Sequence, residues 1–401
     1  MRSKPFARMH VWPLTEQVQS RDAFVYIDRG MQVAGWIPPA KKLARRIYFL
    51  WTVITTVMVI ILLDVSLLMS YFKDFRRFNA GQFLTSLQVG LNCFGSSIKA
   101  CYTFAGIKRF SRAKQLLDRM DQRCTSDEQR LHMHRWVARC NQVYMYFQVM
   151  YSFYALSTFL AGALSGQLAW RMYNPLIDAE ASKQHFWLAA ILEYVWMSGA
   201  VFQDQMADSY PIIYFLMLRA HITLLKQRLR RLRTNTKLTE KQNYAELINC
   251  IGDHRLILEY CSTLAPVVSA TIFVQFLLVG IVMGLTVINI MFFASFWTGL
   301  GAAIFLFDVI MQTFPFCYIC NLIMDDSQEL AYCLFHSNWL DADRRYRHTL
   351  RHFLHNVQQP IIMTAGGVFI ISMSTNVSVA KLAFSVVTFV KQLNIAENFR
   401  E

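Results

Sequence analysis

Seven stretches of predominantly apolar residues recur along this 401-residue chain, separated by shorter charged segments. A transmembrane helix needs about 20 such residues, and each stretch is long enough. With 55% hydrophobic and 16% charged residues, the chain is also too apolar for soluble domains of ordinary size. The sequence therefore predicts an all-α integral membrane protein with seven transmembrane helices, at 47–69, 82–105, 143–165, 186–218, 264–293, 296–324 and 361–390.

The distribution of Lys and Arg predicts how these helices are oriented. The N-terminal tail and the second, fourth and sixth loops hold 31 of these residues, whereas the other loops and the C-terminal tail hold seven. Because cytoplasmic loops are enriched in Lys and Arg, we expect a cytoplasmic N-terminus and an extracellular C-terminus. A G-protein-coupled receptor has the opposite orientation. Since the basic residues do not form one patch, the net charge of +14 does not indicate a nucleic-acid partner.

Several helical patterns are too long for a bilayer, which predicts a cytoplasmic anchor. Residues 186–232 have a nearly continuous helical pattern, and residues 240–262 are amphipathic. A further helix begins near Asp341, continues with basic residues and ends before Pro360. We divide the chain into a cytoplasmic N-terminal segment (1–46), transmembrane helices one to four (47–218), cytoplasmic helical extensions (219–263), transmembrane helices five and six (264–324), an anchor helix (325–360), the last helix (361–393) and an extracellular tail (394–401).

The chain carries none of the familiar catalytic or nucleotide-binding motifs, so we predict no enzyme and no cofactor. Cys317 and Cys320 form a CxxC pattern inside an apolar helix, where packing is the usual role, and we expect no structural disulfide. His348, His352 and His355 lie at helical spacing, but no carboxylate or cysteine is placed to complete a metal site. We therefore predict no bound metal.

The last apolar run differs from the others because polar residues recur within it and would form a stripe along one side of the helix. As a single helix from Ile361 to Leu393 it would be about 50 Å long, against about 30 Å of hydrocarbon core, so one end must project. The stripe can line an aqueous pore among several copies, or it can pack against neighbours through hydrogen bonds, and its spacing leaves both alternatives open. Its members recur at steps of three and four residues: Ser374, Ser378, Lys381, Ser385, Thr388 and Gln392.

Six segments in the C-terminal part of the chain resemble, in order and in spacing, the signature of the insect odorant receptors. The segments are Phe314–Asn321, Ser327–Ala331, Ser337–Leu340, Gln359–Pro360, Ala365–Gly367 and Lys381–Ser385 with Thr388. The resemblance implies a tetrameric, non-selective cation channel whose pore is lined by the last helix and opened by an odorant. It also implies assembly with a shared co-receptor subunit in the plasma membrane of olfactory dendrites. Phe389, Gln392 and Leu393 would form the outer gate, while Val386 and Val387 depart from the family pattern.

The same resemblance implies an odorant pocket in the outer half of the subunit, among helices two, three, four and six. We expect an aromatic, sulfur-bearing wall with few hydrogen-bonding groups, which would hold a small volatile mainly by apolar burial. Two ionisable residues within the spans, Glu193 and Asp308, are further candidates, and Glu193 could orient a ligand or pair with a neighbouring helix. The residues at matching depth are Phe83, Leu87, Phe94, Met150, Tyr154, Thr158, Tyr194, Met197 and Phe305.

Three other classes of protein share some of these features. A gustatory receptor of the same superfamily would have the same topology and pore helix but less volatile ligands. A G-protein-coupled receptor would require the opposite orientation, and a transporter would show the internal repeats that this sequence lacks. The Ser-x-Trp segment and the Lys-x-x-Phe-Ser-x-x-Thr pattern favour an odorant receptor.

Overall fold

The apolar runs and their charged flanks fold together as long helices. The computed structural model describes residues 7–39, 42–73 and 79–392. Short 3₁₀ turns at Ala7–Met9 and Ser20–Phe24 precede the first helix. The helices are α1 (Val25–Val33), α2 (Lys42–Thr55), α3 (Leu63–Lys73), α4 (Ala80–Ala105), α5 (Ile107–Asp121), α6 (Asp127–Leu164), α7 (Lys183–Arg230), α8 (Glu240–Phe292), α9 (Phe296–Phe335), α10 (Arg344–Val357) and α11 (Met373–Gln392).

Polar residues at the helix starts fix where several helices begin. The Asn79 side chain accepts a hydrogen bond from the Gln82 backbone N–H at 2.8 Å at the start of α4. Thr239 caps α8 in the same way, and Asp343 accepts from the Tyr346 N–H at 2.6 Å at the start of α10. These side chains satisfy backbone donors that have no partner inside the helix, so the boundaries follow from local sequence.

Seven helical spans account for the seven apolar runs. A π-helical segment, Thr56–Leu62, joins α2 to α3, and the three pieces together form the first span. This span and the helices α6, α7, α8 and α9 are each long and apolar enough to cross a membrane. The 26-residue α4 and the 20-residue α11 occupy the second and seventh predicted spans. The tight turn between α8 and α9 lies at residues 293–295, where the fifth and sixth predicted spans adjoin.

Three helices extend well beyond a bilayer. At 1.5 Å per residue, the 48, 53 and 40 residues of α7, α8 and α9 span about 72, 80 and 60 Å. The continuous helix predicted over 186–232 is confirmed by α7. The amphipathic segment at 240–262 and the fifth span are parts of one helix, α8, without a break between them.

The extended helix ends form a tightly packed cytoplasmic bundle that contains most of the core. Phe24 from the N-terminal segment packs on Tyr214 of α7, with 4.2 Å between ring centroids. The Tyr260 hydroxyl of α8 donates to the Tyr214 carbonyl at 3.0 Å. Helix α10 covers this bundle through buried residues including Tyr346 and Phe353. Its histidines at 348, 352 and 355 lie on the exposed side, and the described residues contain no His, Cys, Asp and Glu group that could hold a metal ion.

The predicted single helix from Ile361 to Leu393 is wrong at its beginning. Residues 364–370 instead form a small antiparallel hairpin, with strands β1 (Thr364–Ala365) and β2 (Phe369–Ile370). Its turn requires positive φ angles, 61° at Gly366 and 71° at Gly367, which glycine adopts readily. Helix α11 therefore starts at Met373, and its 20 residues, about 30 Å, match the hydrocarbon core.

The hairpin gives a paired test of packing against backbone strain. A Cβ added at Gly366 would lie 2.6 Å from Cδ2 of Phe273, whereas one at Gly367 would meet nothing within 4 Å. Both positions have positive φ, so both alanine variants carry about 1–2 kcal/mol of backbone strain. We expect Gly366→Ala to lower the thermal unfolding midpoint of the purified receptor clearly more than Gly367→Ala, because the overpacked site costs about 1–3 kcal/mol more. Equal midpoints for the two variants would contradict the packing of Gly366 on Phe273.

Candidate ligand cavity and pore-facing helix

A cavity of about 180 Å³ opens among the outer ends of α4, α6, α8 and α9, beneath the loop at 165–182. It is smaller than the roughly 300–1,000 Å³ typical of pockets for drug-sized ligands, so it suits a small molecule. We call it the outer cavity. Tyr154 of α6 and Phe305 of α9 form part of its wall, with 5.5 Å between their ring centroids.

Five of the predicted pocket residues line this cavity or the spaces beside it. Tyr154, Thr158 and Phe305 line the outer cavity itself. Met197 lies deeper, on a cavity of about 20 Å³ that shares Tyr154 and Phe305 with the outer cavity. Met150 lines a groove of about 280 Å³ between α6 and α9. Their part in ligand binding stays a prediction.

The other four predicted residues line none of these three spaces. Phe94 is 56% exposed on the outside of α4, and Leu87 is half-buried. Phe83 packs against Tyr71, and Tyr194 packs against Phe159 with 4.9 Å between ring centroids. The aromatic side of α4 is therefore not the side that forms the outer cavity.

The cavity side of α4 is instead polar. Its residues in the lining include Gln82, Thr85, Ser86 and Gln88, together with Val89. Lipid accepts an exposed phenylalanine, whereas polar side chains in a membrane helix face the protein interior. The wall of the outer cavity therefore has more hydrogen-bonding groups than the sequence predicts for the ligand pocket, and the polar residues of α4 are the sequence signal for this side of the helix.

Glu193 holds the loop that covers the cavity. Its carboxylate, on α7, accepts hydrogen bonds from the backbone N–H of Met172 at 2.7 Å and of Trp170 at 3.3 Å. The side chain is 6% exposed, and Trp170 is 1% exposed. Glu193 therefore positions Trp170 over the outer cavity.

An ionic cluster lies beside the deeper cavity, which Asp204 and Asp308 help to line. Lys99 of α4 places its Nζ 2.7 Å from a carboxylate oxygen of Asp204 and 2.7 Å from one of Asp208, both on α7. The Tyr151 hydroxyl donates to the other oxygen of Asp208 at 2.7 Å. All of these residues are buried, so the cluster fixes α4, α6 and α7 to one another.

Two glutamines extend this cluster to α8 and α9. Lys99 donates to Oε1 of Gln275 at 2.5 Å, and Gln275 donates to Gln312 at 2.5 Å. Nε2 of Gln312 lies 3.4 Å from Oδ2 of Asp308. Of this cluster only Asp308 was predicted as a functional candidate, although Lys99 in span two and two aspartates in span four are also ionisable residues within predicted spans.

Helix α11 presents its polar stripe away from its own subunit. Ser374, Ser378, Lys381, Ser385, Thr388 and Gln392 are all exposed. The opposite face, with Ala383 and Val387 buried, packs on α8. There a Cβ at Gly284 would lie 3.7 Å from the Ala383 carbonyl oxygen. Phe389 lies on α11, and Leu393 lies outside the described residues.

Comparisons with known proteins fit this architecture. The family model described as 7tm odorant receptor matches residues 79–384. Odorant receptor 42b of Drosophila melanogaster is 50% identical over 388 residues, 97% of each chain, and odorant receptor 22a of the same species is 49% identical over 400 residues, 100% of each chain. The solved structure of the olfactory receptor OR5 from Machilis hrabei in complex with eugenol has a TM-score of 0.76 at 15% identity, covering 93% of this chain and 98% of that one.

These matches confirm the predicted fold class, an all-α membrane protein with seven transmembrane helices. The relatives are receptors and not enzymes, and they give no support to a gustatory or G-protein-coupled receptor. The chain belongs to the odorant receptor family of insect ligand-gated cation channels.

Proposed function

We propose that this chain is the odour-tuned subunit of a heteromeric, non-selective cation channel in the plasma membrane of olfactory dendrites. A small volatile binds in the outer cavity and opens a pore lined by α11. The observation that carries the proposal is the polar stripe of α11, which is exposed along the whole helix while the other face packs on α8. Exposing a lysine to lipid is energetically unfavourable, so a stripe that includes Lys381 must face water or other subunits.

One subunit cannot enclose a pore with a single outward-facing helix, so several copies of α11 must meet. A tetramer that includes a shared co-receptor fits this requirement. The eugenol complex of the Machilis receptor supports a small organic ligand for the same fold. The exposed face of α10, in the cytoplasmic bundle, offers further surface for contacts between subunits.

Helix α9 provides a direct connection from the cavity to the pore helix. Phe305 of α9 lines the outer cavity, and two helical turns further on Thr313 accepts a hydrogen bond from Asn376 of α11 at 2.8 Å. The Asn321 side chain, also on α9, accepts from the Met373 backbone N–H at 3.3 Å. A ligand that binds the open arrangement more tightly shifts the channel toward it in proportion to that difference in affinity.

A cysteine-accessibility experiment tests the pore assignment. We expect odorant-evoked current through channels with Ser385→Cys, co-expressed with a co-receptor, to fall several-fold after a positively charged methanethiosulfonate reagent is applied during odorant exposure. Ala383→Cys is the matched control, since Ala383 is two residues away, 3% exposed and turned toward α8. Wild-type channels, which contain the exposed Cys101, report any background effect. Unchanged current in Ser385→Cys would contradict the pore face, and odorant-evoked G-protein signalling without current would contradict the channel.

A further inference from the structure

Lys381 is the only charged residue in the polar stripe of α11. Successive residues of a helix are about 100° apart, which places Lys381 within about 20° of the axis of the stripe. Exposed apolar side chains border the stripe on both sides, with Val377 and Phe384 on one side and Leu382 on the other. Lys381 therefore lies at the centre of the face that α11 turns away from its own subunit.

Lys381 also lies near the middle of the membrane. At 1.5 Å per residue it is about 12 Å from the beginning of α11 at Met373 and about 17 Å from its end at Gln392. A lysine that faces lipid is most unfavourable at this depth, far from the headgroups on either side. An aqueous pore is the environment that accommodates such a charge.

No carboxylate of the same subunit neutralises Lys381. Helix α11 contains no Asp or Glu, and Lys381 forms no ion pair in the part of the chain that the structure describes. The buried Lys99 differs in this respect, because its Nζ lies 2.7 Å from carboxylate oxygens of both Asp204 and Asp208. Each copy of this chain thus adds one uncompensated positive charge to the face that α11 presents.

A positive charge in a pore that conducts cations affects ions according to their valence. Rings of acidic side chains favour cations, whereas rings of Lys or Arg favour anions. A divalent cation is repelled twice as strongly as a monovalent one. At a separation of about 6 Å in water, the additional charge corresponds to about a threefold difference in occupancy for each lysine.

We propose that Lys381 determines the ion preference of the pore, by favouring monovalent over divalent cations and by limiting cation current as the number of copies of this chain in a channel rises. A channel that contains a partner subunit without a positive charge at this depth conducts cations better than one built from this chain alone. This inference rests on the proposed function, because it requires α11 to line the pore.

Reversal potentials of the odorant-evoked current, measured with calcium outside and sodium inside the cell, test the proposal. The receptor is expressed with a co-receptor, and the permeability ratio of Ca²⁺ to Na⁺ is compared among variants. Lys381→Gln should raise this ratio at least about threefold, Lys381→Glu should raise it further, and Lys381→Arg should keep the wild-type ratio. Lys183→Gln, which removes an exposed lysine at the beginning of α7, is the matched control.

Ser378→Lys provides a second variant that leaves Lys381 in place, and it carries the test if Lys381→Gln fails to reach the cell surface. Ser378 is exposed on the same stripe, three residues earlier. A second lysine there should lower the permeability ratio about threefold.

An unchanged ratio in Lys381→Gln channels at the cell surface would overturn the inference, as would an unchanged ratio in Ser378→Lys if that variant carries the test. The cysteine-accessibility result at Ser385 separates this failure from failure of the proposed function. Block of Ser385→Cys beside an unchanged ratio would leave the pore face intact and show that Lys381 does not act on the permeant ions. Absence of block would instead overturn the pore face on which the inference rests.

Discussion

Replacement of Lys99 by methionine is expected to destabilise the receptor by about 3–5 kcal/mol, because removing one partner of a buried ion pair leaves uncompensated charge. Asp204 and Asp208 each lie 2.7 Å from the ammonium group. Without it, these two carboxylates remain buried at 5% exposure, with Asp308 nearby at 2%. The measurement is the thermal unfolding midpoint of the purified receptor, together with the amount that reaches the cell surface.

Two further variants test whether the loss of stability comes from the removed charge. Lys108→Met removes an exposed lysine at the beginning of α5 and should leave the midpoint unchanged. The triple variant Lys99→Met, Asp204→Asn, Asp208→Asn removes the excess negative charge and should recover part of the lost stability. A Lys99→Met receptor as stable as wild type would show that the cluster does not hold the helices together.

Asp253 in the cytoplasmic bundle has a comparable expected effect. Its carboxylate, on α8, accepts hydrogen bonds from Arg123 at 2.5 Å and from Arg228 at 2.7 Å, and the residue is 5% exposed. Asp253→Asn leaves two guanidinium groups together without their shared anion, which should cost about 3–5 kcal/mol. We expect a lower unfolding midpoint and a weakened contact among α7, α8 and the α5–α6 connection.

Glu246→Gln is the control for this change, because Glu246 binds the same Arg123 at 3.2 Å from a side chain that is 51% exposed. An exposed ion pair contributes about 0–1 kcal/mol. The two variants therefore differ in burial rather than in the kind of interaction removed. Equal midpoints for Asp253→Asn and Glu246→Gln would contradict a structural role for the buried carboxylate.

The sequence predicted the elements of this fold better than their contacts. The length of the apolar runs was enough to predict the seven spans, because a bilayer requires about the same length of every helix that crosses it. The long α7 was also predictable, since its helical pattern continues past the apolar run into basic residues. The beginning of α11 was missed because the apolar residues around Gly366 and Gly367 fit a short hairpin as well as a helix.

The cavity was harder to predict because it depends on how each helix is rotated. On α4 the choice of Phe83, Leu87 and Phe94 followed their depth on one apolar face of the span, yet lipid and protein interior both accept apolar side chains. Polar residues are the more decisive indicator within a membrane, and those of α4 do face the cavity. The position of Trp170 in the cavity wall could not be foreseen, since it depends on a loop held by Glu193.

The uneven packing of the molecule bears on how such a receptor can evolve. The largest buried cluster gathers the N-terminal segment and the cytoplasmic parts of α5 to α10, whereas the outer cavity is bounded by smaller clusters. Substitutions in the cavity wall therefore remove few of the contacts that keep the chain folded. New odour preferences can arise there one residue at a time, without first requiring a more stable protein to tolerate them.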